Sequence, residues 1–156
     1  MSVQTACQIE VRRVREQDQP LLEQMYDALA PVEETLGLPP RQSAERRAWL
    51  AGLRQGINLV AFADGRLAGH LVLLAIDDAA EAMCFVHQDY RRQGIATALG
   101  REAVERARAA GYSRISVFIN SHNVGARRGL LKFGFRPVWE DLEEAEYVYW
   151  LQGGTA

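Results

Sequence analysis

Apolar and polar residues recur along this chain with two different periods, and the change of period predicts its elements. Alternation with period two predicts strands, whereas apolar residues three or four positions apart predict helices. On this basis, strands are expected over 7–12, 59–63, 67–76, 83–86, 114–119, 136–140 and 147–151. Helices are expected from about 18 to 31, from 43 to 56, from 95 to 111 and from 124 to 133.

The connections between these elements predict how the strands pair. Asp64-Gly65 lies between two apolar runs and is a strong hairpin signal, and Asp77-Asp78 is a second turn. Three consecutive strands therefore form an antiparallel meander. The helix that follows can carry the chain across the sheet, which makes the strand over 114–119 a parallel neighbour of the strand over 83–86. The expected fold class is α/β (α+β), a mostly antiparallel sheet of about seven strands flanked by four helices.

Composition narrows the class of protein. With 156 residues, 48% of them hydrophobic, the chain predicts one core and a single domain over 1–156. The net charge of -2, from 18 basic and 20 acidic residues, gives no basic field for nucleic acid. The alternating N-terminal segment resembles neither a signal peptide nor a membrane span, so we expect a cytoplasmic protein. Cys7 and Cys84 are isolated and the three histidines lack metal-ligand spacing, so no metal is expected.

The segment from Met83 to Thr97 carries most of the functional information. An apolar strand runs into a basic loop that contains Gly94, and this loop opens directly onto an amphipathic helix. The first N–H groups of a helix have no intrahelical partner and favour an anion. Arg91 and Arg92 add positive potential, so the segment predicts a phosphate site. An ordinary strand-turn-helix joint with solvated arginines is the structural alternative.

This loop and its surroundings resemble the GNAT superfamily of acetyl-CoA dependent N-acetyltransferases. Arg91, Gly94 and Ala96 fill the three defined places of its Gln/Arg-x-x-Gly-x-Gly/Ala signature, and Asn123-x-x-Ala126 and Gly134-Phe135 follow. The resemblance implies that the fourth and fifth strands splay apart and hold the pantetheine arm of acetyl-CoA. It implies these cofactor-binding residues: Phe85, Val86, Arg91, Arg92, Gln93, Gly94, Ile95, Ala96, Thr97 and Asn123.

The implied reaction is direct attack of a primary amine on the thioester in a ternary complex. A non-catalytic acyl-CoA-binding or sensor module of the same fold is the alternative. By the same resemblance, the backbone N–H of Val86 is the candidate oxyanion donor. Leu130 replaces the tyrosine that often serves as general acid in the family. Either the thiolate leaves without a side-chain acid, or Tyr147, Tyr149 or Tyr90 reaches the sulfur.

Other candidate residues have a structural interpretation beside the catalytic one. Glu81 is the candidate general base, although its offset from the family position is one residue and a solvated turn glutamate is the alternative. Tyr147 and Tyr149 share one face of the last strand, where aromatic residues are favoured for packing. His70 is expected to be a half-buried histidine with its hydrogen bonds satisfied. Gly129, inside a helix, indicates either close approach of the cofactor or a tight helix crossing.

The acceptor is expected to be a small-molecule or peptide amine. Acidic residues mark the two segments that border the acceptor side in this family: Glu33 and Glu34, and Asp141, Glu143, Glu144 and Glu146. An acidic rim attracts a cationic amine, although exposed turns are commonly charged. A small amine, an amino acid, an aminoglycoside-like compound and a protein N-terminus or lysine stay open. No membrane partner is expected, and Trp139 or Trp150 is the candidate surface of a homodimer.

Overall fold

A computed structural model describes residues 7–30, 36 and 38–151. Its elements in chain order are β1 (Ile9–Arg13), α1 (Gln19–Asp27), α2 (Ser43–Gly52), β2 (Ile57–Ala63), β3 (Arg66–Ile76), β4 (Ala79–Val86), α3 (Ile95–Ala109), β5 (Arg114–Asn120), α4 (Val124–Phe133), β6 (Arg136–Glu140) and β7 (Glu144–Trp150). The strands form one sheet in the order β1-β2-β3-β4-β5-β7-β6. Within the described residues, β4 and β5 are parallel and every other neighbouring pair is antiparallel. The predicted fold class is confirmed.

Two strands begin three or more residues earlier than the sequence predicted. β4 begins at Ala79 instead of Met83, because alanines with low strand propensity are carried into the sheet by pairing with β3. β7 begins at Glu144 instead of Tyr147. The carboxylate of Asp141 accepts hydrogen bonds from the amides of Glu143 and Glu144, both at 2.8 Å, and this shortens the predicted acidic turn.

Two helices end about four residues earlier than predicted. α1 ends at Asp27, before the predicted boundary near residue 31, which lies outside the described residues. α2 ends at Gly52 and continues as a 3-10 turn over Leu53–Gln55. Within the described part of the chain, no helix is long and apolar enough to cross a bilayer.

The two faces of the sheet carry separate cores. On one face, here called the α3 face, Ile95, Leu99 and Ala103 of α3 pack against buried residues of β2 to β5. Gly69 of β3 lets α3 approach, since an added Cβ would lie 2.9 Å from the Cγ2 atom of Ile95. On the other face, the α1 face, α1 and α2 cover Val60, Val72 and Phe85, among other residues. The side chains of β4 therefore point alternately to the α3 face and to the α1 face.

A buried polar network ties α1 to the sheet on the α1 face. His70 of β3 is 1% exposed, and its Nδ1 lies 2.6 Å from the hydroxyl of Tyr26. Its Nε2 lies 2.8 Å from Oδ1 of Asn58, whose amide nitrogen donates to the carbonyls of Leu53 and Gly56. Asn58 therefore presents an acceptor to His70, so Nε2 carries the proton and Nδ1 accepts from Tyr26. The predicted half-buried histidine is fully buried and has both ring nitrogens bonded.

Burial also determines the charge state of this network. It lowers the pKa of His70 to about 4, so the imidazole is neutral at pH 7. It raises the pKa of Tyr26 well above the ordinary range, so the hydroxyl keeps its proton and can donate. The network thus holds α1 against β2 and β3 without a buried charge.

Candidate active site

The parallel strands β4 and β5 stay together over only a short distance. In the described chain they pair at Ala79 with Arg114, at Ala80 with Ile115 and at Glu81 with Ser116. Beyond these positions β4 remains bonded to β3, and β5 remains bonded to β7. A cleft therefore opens along the second half of β4, as the resemblance implied.

Main-chain amides of β4 face this cleft. The amide of His87 donates to the carbonyl of Ala68 at 2.8 Å, on the β3 side. Because amides of an antiparallel strand alternate between its two edges, those of Val86 and Cys84 point toward β5. Cys84 was not predicted as a site residue, although its position two residues before Val86 in one strand was a sufficient signal. Its side chain is exposed, because β4 has lost its β5 neighbour there.

The β4–α3 loop forms an anion site at the mouth of the cleft. Arg92 and Gly94 adopt left-handed backbone angles, with φ of 63° and 83°. Alternating left-handed residues turn successive amides toward one point. No side chain caps the start of α3 within the described residues, so its first amides are left for a ligand. A cavity of about 270 Å³ lies here, lined by Val86, Tyr90, Arg91, Arg92, Gly94, Ile95, Ala96 and Thr97.

The predicted cofactor-binding residues outside this lining have other contacts. The ring of Phe85 packs on the α1 face, with centroids 5.6 Å from Tyr26 and 5.7 Å from Trp49. By the strand alternation its amide faces β3 and not the cleft. The side chain of Gln93 donates to the carbonyl of Asp89 at 3.3 Å.

Asn123 is the N-cap of α4. Its Oδ1 accepts a hydrogen bond from the amide of Ala126 at 3.1 Å. This leaves the Nδ2 atom of Asn123 for the predicted cofactor contact. The Asn-x-x-Ala spacing therefore has a structural cause of its own, because N-cap side chains bond the amide three residues ahead.

Glu81 lies inside β4, and its predicted position before the fourth strand is wrong. It occupies the last position at which β4 pairs with β5, and it is half-buried. Its pKa is raised, first because burial disfavours the carboxylate and then because the carboxylates of Glu144 and Glu146 are close. Placing Glu81 within the strand directs its side chain to the α1 face, since it pairs with Leu74 of β3.

Glu144 and Glu146 lie in β7 and share the α1 face with Glu81. The register places Glu146 opposite Phe118 and Glu144 opposite Asn120. Trp139 of β6 adds an aromatic ring to this group, and its Nε1 donates to Glu146 at 2.9 Å. We call Glu81, Glu144 and Glu146 the carboxylate group.

The remaining predicted acidic residues do not join the carboxylate group. Asp141 shapes the β6–β7 turn. Its carboxylate accepts hydrogen bonds from the amides of Glu144 and Glu143, and these bonds lower its pKa. Glu143 is exposed in the same turn. Glu33 and Glu34 lie outside the described residues. Trp139 and Trp150 are exposed as expected, at 43% and 42%.

The three candidate tyrosines lie in different surroundings. Tyr147 is 2% exposed in the core of the α3 face, on the side of β7 opposite to Glu146. Tyr149 packs on the rings of Phe133 and Phe135, with centroids 5.6 and 5.4 Å away. Tyr90 lines the cavity of the anion site.

The structure separates the two interpretations of Gly129. An added Cβ at this position would meet no described atom within 4 Å, so Gly129 does not mark a tight helix crossing. The close crossing of α3 and α4 is at Gly100, where a Cβ would lie 2.8 Å from the ring of Phe133. Among the residues that the structure describes, no three potential metal ligands lie together.

Comparisons with known proteins agree with this geometry. Residues 22–135 match the profile of the acetyltransferase (GNAT) family. An N-acetyltransferase from Staphylococcus aureus Mu50 has the same fold, with a TM-score of 0.79 and 20% identity over 93% of this chain and 99% of that chain. The yncA protein of Salmonella typhimurium, solved with its cofactor acetyl-CoA, has a TM-score of 0.76 and 18% identity over 95% and 96% of the two chains.

A third structure with this fold is the paiA N-acetyltransferase of Thermoplasma acidophilum in complex with coenzyme A. It has a TM-score of 0.74 and 18% identity over 92% of this chain and 99% of that chain. No curated protein matches the sequence. At these identities the structural neighbours establish the fold, and the family profile establishes the family.

Proposed function

Because this chain belongs to the acetyltransferase (GNAT) family and uses acetyl-CoA, we propose that it is an N-acetyltransferase acting on a small cationic primary amine. The observation that carries the proposal is the parting of β4 and β5 directly after Glu81 and Ser116, beside the uncapped start of α3. Unpaired main-chain donors in a cleft are unfavourable unless a ligand satisfies them. A ligand with an amide-rich arm and a diphosphate matches both features.

The residues of the anion site fit the diphosphate of coenzyme A. The amides of Ile95, Ala96 and Thr97 point out of the α3 N-terminus, where the helix dipole favours negative charge. Gly94 lets a phosphate approach the backbone, and Arg92 adds a cationic side chain. The predicted contacts of Gln93 and Asn123 complete the set proposed for the cofactor.

The chain's own groups supply what amine acetylation needs. Acetyl-CoA contributes an activated thioester, which the neutral amine attacks directly. The cleft-facing amides of Val86 and Cys84 are placed to donate to a carbonyl oxygen that gains negative charge. Cys84 lies nearer to Glu81 along β4, so we assign it this role together with Val86.

We assign Glu81 as the general base that takes the proton of the amine. A raised pKa suits this role, because a base with a pKa closer to neutral transfers protons more effectively at pH 7. Leu130 supplies no acid, and the low pKa of a departing thiol makes a side-chain acid unnecessary. Tyr147, Tyr149 and Tyr90 are the candidate tyrosine acids, and the variant Tyr147→Phe tests the first of them.

The carboxylate group and Trp139 favour a cationic acceptor. Burial is the larger cause of the raised pKa of Glu81, and repulsion from the carboxylates of Glu144 and Glu146 adds to it; a bound cation relieves that repulsion. An exposed indole ring beside Glu146 can contact an ammonium group through its face. Both features lie on the side of β4 where Glu81 points.

An acceptor screen with thiol detection tests the proposal. Acetyl-CoA consumption stimulated by an amine, and most strongly by a cationic one, is the expected result. Glu81→Gln should abolish most of this rate, whereas Glu143→Gln, which removes the same charge from the exposed turn, should not. If the screen shows no turnover, calorimetry with coenzyme A distinguishes two explanations. Binding of coenzyme A without turnover on any amine identifies a sensor module, and an absence of binding refutes the cofactor site.

A further inference from the structure

The side chain of Arg91 makes its hydrogen bonds to main-chain carbonyls. Its Nη2 donates to the carbonyl of Ala30 at 2.6 Å, and its Nε donates to the carbonyl of Val86 at 3.3 Å. One guanidinium therefore bridges the end of β4 and the segment that follows α1. This is an unexpected position for the first arginine of a phosphate-binding signature.

Gln88 makes a second connection between the same two segments. Its Oε1 accepts from the amide of Ala30 at 3.0 Å, and its Nε2 donates to the carbonyl of Ala28 at 2.7 Å. The residues joined by Gln88 and Arg91 are 58 to 61 positions apart in sequence. We call Gln88 and Arg91, with the main chain of 28–30, the brace.

The brace joins the two halves of the proposed active site. At one end is Val86, whose amide faces the cofactor cleft. At the other end is α1, whose buried residues Met25 and Tyr26 pack on the α1 face beside Phe85. The carboxylate group shares that face. Fixing α1 relative to Val86 therefore fixes the helix that covers the face where the acceptor is proposed to bind, relative to the cofactor side.

Arg91 and Arg92 differ in the contacts that they make. Arg92 is exposed in a left-handed conformation, and the described residues offer its side chain no hydrogen bond. The guanidinium of Arg91 already donates to two carbonyls. A lysine keeps the charge of Arg91 but cannot reproduce the fixed fork of its N–H groups.

Accepting the proposed acetyl transfer as its basis, we propose that Arg91 is a positioning residue that, with Gln88, holds the Val86 peptide at a fixed place relative to α1. The positive charge for the cofactor phosphates comes from Arg92 and the α3 amides. Acetyl transfer needs the amine and the thioester aligned within a fraction of an ångström, and small displacements reduce the rate strongly.

The test compares Arg91→Lys with Gln88→Met and with the control Arg92→Gln. For Arg91→Lys and Gln88→Met we expect the Kd of coenzyme A to change less than about twofold, while kcat/KM for the amine falls about tenfold or more. Arg92→Gln, at a residue of the anion site, should instead weaken the Kd of coenzyme A and reduce the salt dependence of its binding. The double variant Arg91→Lys/Gln88→Met should lose less than the product of the single losses.

Calorimetric binding of coenzyme A on the same samples verifies that each variant is folded. If Arg91→Lys turns over like the wild type, or if it loses affinity and salt dependence as Arg92→Gln does, the brace has no positioning role. Those results leave the proposed function intact. A wild-type protein that binds no coenzyme A, or that acetylates no amine, overturns the proposed function and this inference together.

Discussion

Acidification should destabilise this protein through His70, well before its carboxylates are protonated. His70 is buried between Tyr26 and Asn58, with one ring nitrogen donating and the other accepting. Protonation would place a second donor opposite the hydroxyl of Tyr26 and a charge in the core. The perturbation that isolates this effect is His70→Gln, because glutamine does not titrate and its amide can still donate to Asn58.

The size of the effect follows from the pKa of His70. Burial lowers it from the ordinary 6.5 to about 4, and each pKa unit corresponds to about 1.4 kcal/mol. Between these two values the unfolded chain binds more protons than the folded chain, so stability falls as the pH falls. The full difference is about 3 kcal/mol, a large part of the roughly 5–15 kcal/mol that stabilises a typical domain.

Other groups titrate in different windows or with the opposite sign. The pKa of Asp18 is lowered by its hydrogen bonds to Arg12. Its contribution to the free energy of unfolding is therefore lost only as the pH falls below the ordinary pKa of 3.8. The pKa of Glu81 is raised by burial, so its contribution to stability is lost as the pH rises from the pKa of the unfolded chain through the pKa of the folded chain. Both contributions are shared by wild type and His70→Gln. The difference between the two proteins therefore reports His70 alone.

The assay is urea unfolding followed by tryptophan fluorescence at several pH values between about 4 and 7. The wild type should lose about 3 kcal/mol more than His70→Gln over this range. His122→Gln is the matched control, since His122 is exposed and the same replacement there should leave the wild-type curve unchanged. Parallel curves for wild type and His70→Gln would refute the reasoning.

Three further predictions concern the site. Glu81→Gln should lower kcat by roughly 10²- to 10⁴-fold and remove the ascending limb of the pH profile of kcat/KM, and an unchanged profile would exclude Glu81 as the base. Gly94→Ala should lower the free energy of unfolding by about 1–2 kcal/mol, since alanine is strained at φ 83° although its Cβ has room; a melting temperature equal to that of the wild type would contradict this. Asn123→Ala should cost about 1 kcal/mol through loss of the α4 cap while Asn123→Ser largely retains it, and equal losses in chemical unfolding would remove capping as the cause.

The features that sequence predicted correctly depend on local patterns. Asp64-Gly65 forms the turn of the β2–β3 hairpin, and Gly94 adopts the left-handed angle that its loop requires. The apolar spacing of Ile95, Leu99, Ala103 and Ala107 gives the buried stripe of α3. Each signal lies within one turn or one helix. The parallel pairing of β4 and β5 then follows from the crossover that α3 makes.

The features that sequence missed depend on contacts between distant segments. Alanines at the start of β4 carry no strand signal, and only pairing with β3 brings them into the sheet. That extension is what moves Glu81 from a turn into the strand and toward Glu146. The hydrogen bond from Arg91 to Ala30 joins residues that are 61 positions apart, so no local pattern could predict it.

In the proposed binding mode, the short pairing of β4 with β5 makes the cosubstrate a component of the folded state. A metabolite that binds only the folded chain, between β4 and β5, raises the free energy of unfolding. The increase is about 2.7 kcal/mol at a metabolite concentration one hundred times Kd. When the metabolite is scarce, β4 and β5 should separate more often, and proteases should then cleave the chain sooner. The lifetime of the enzyme in a cell would then follow the supply of the molecule that it consumes.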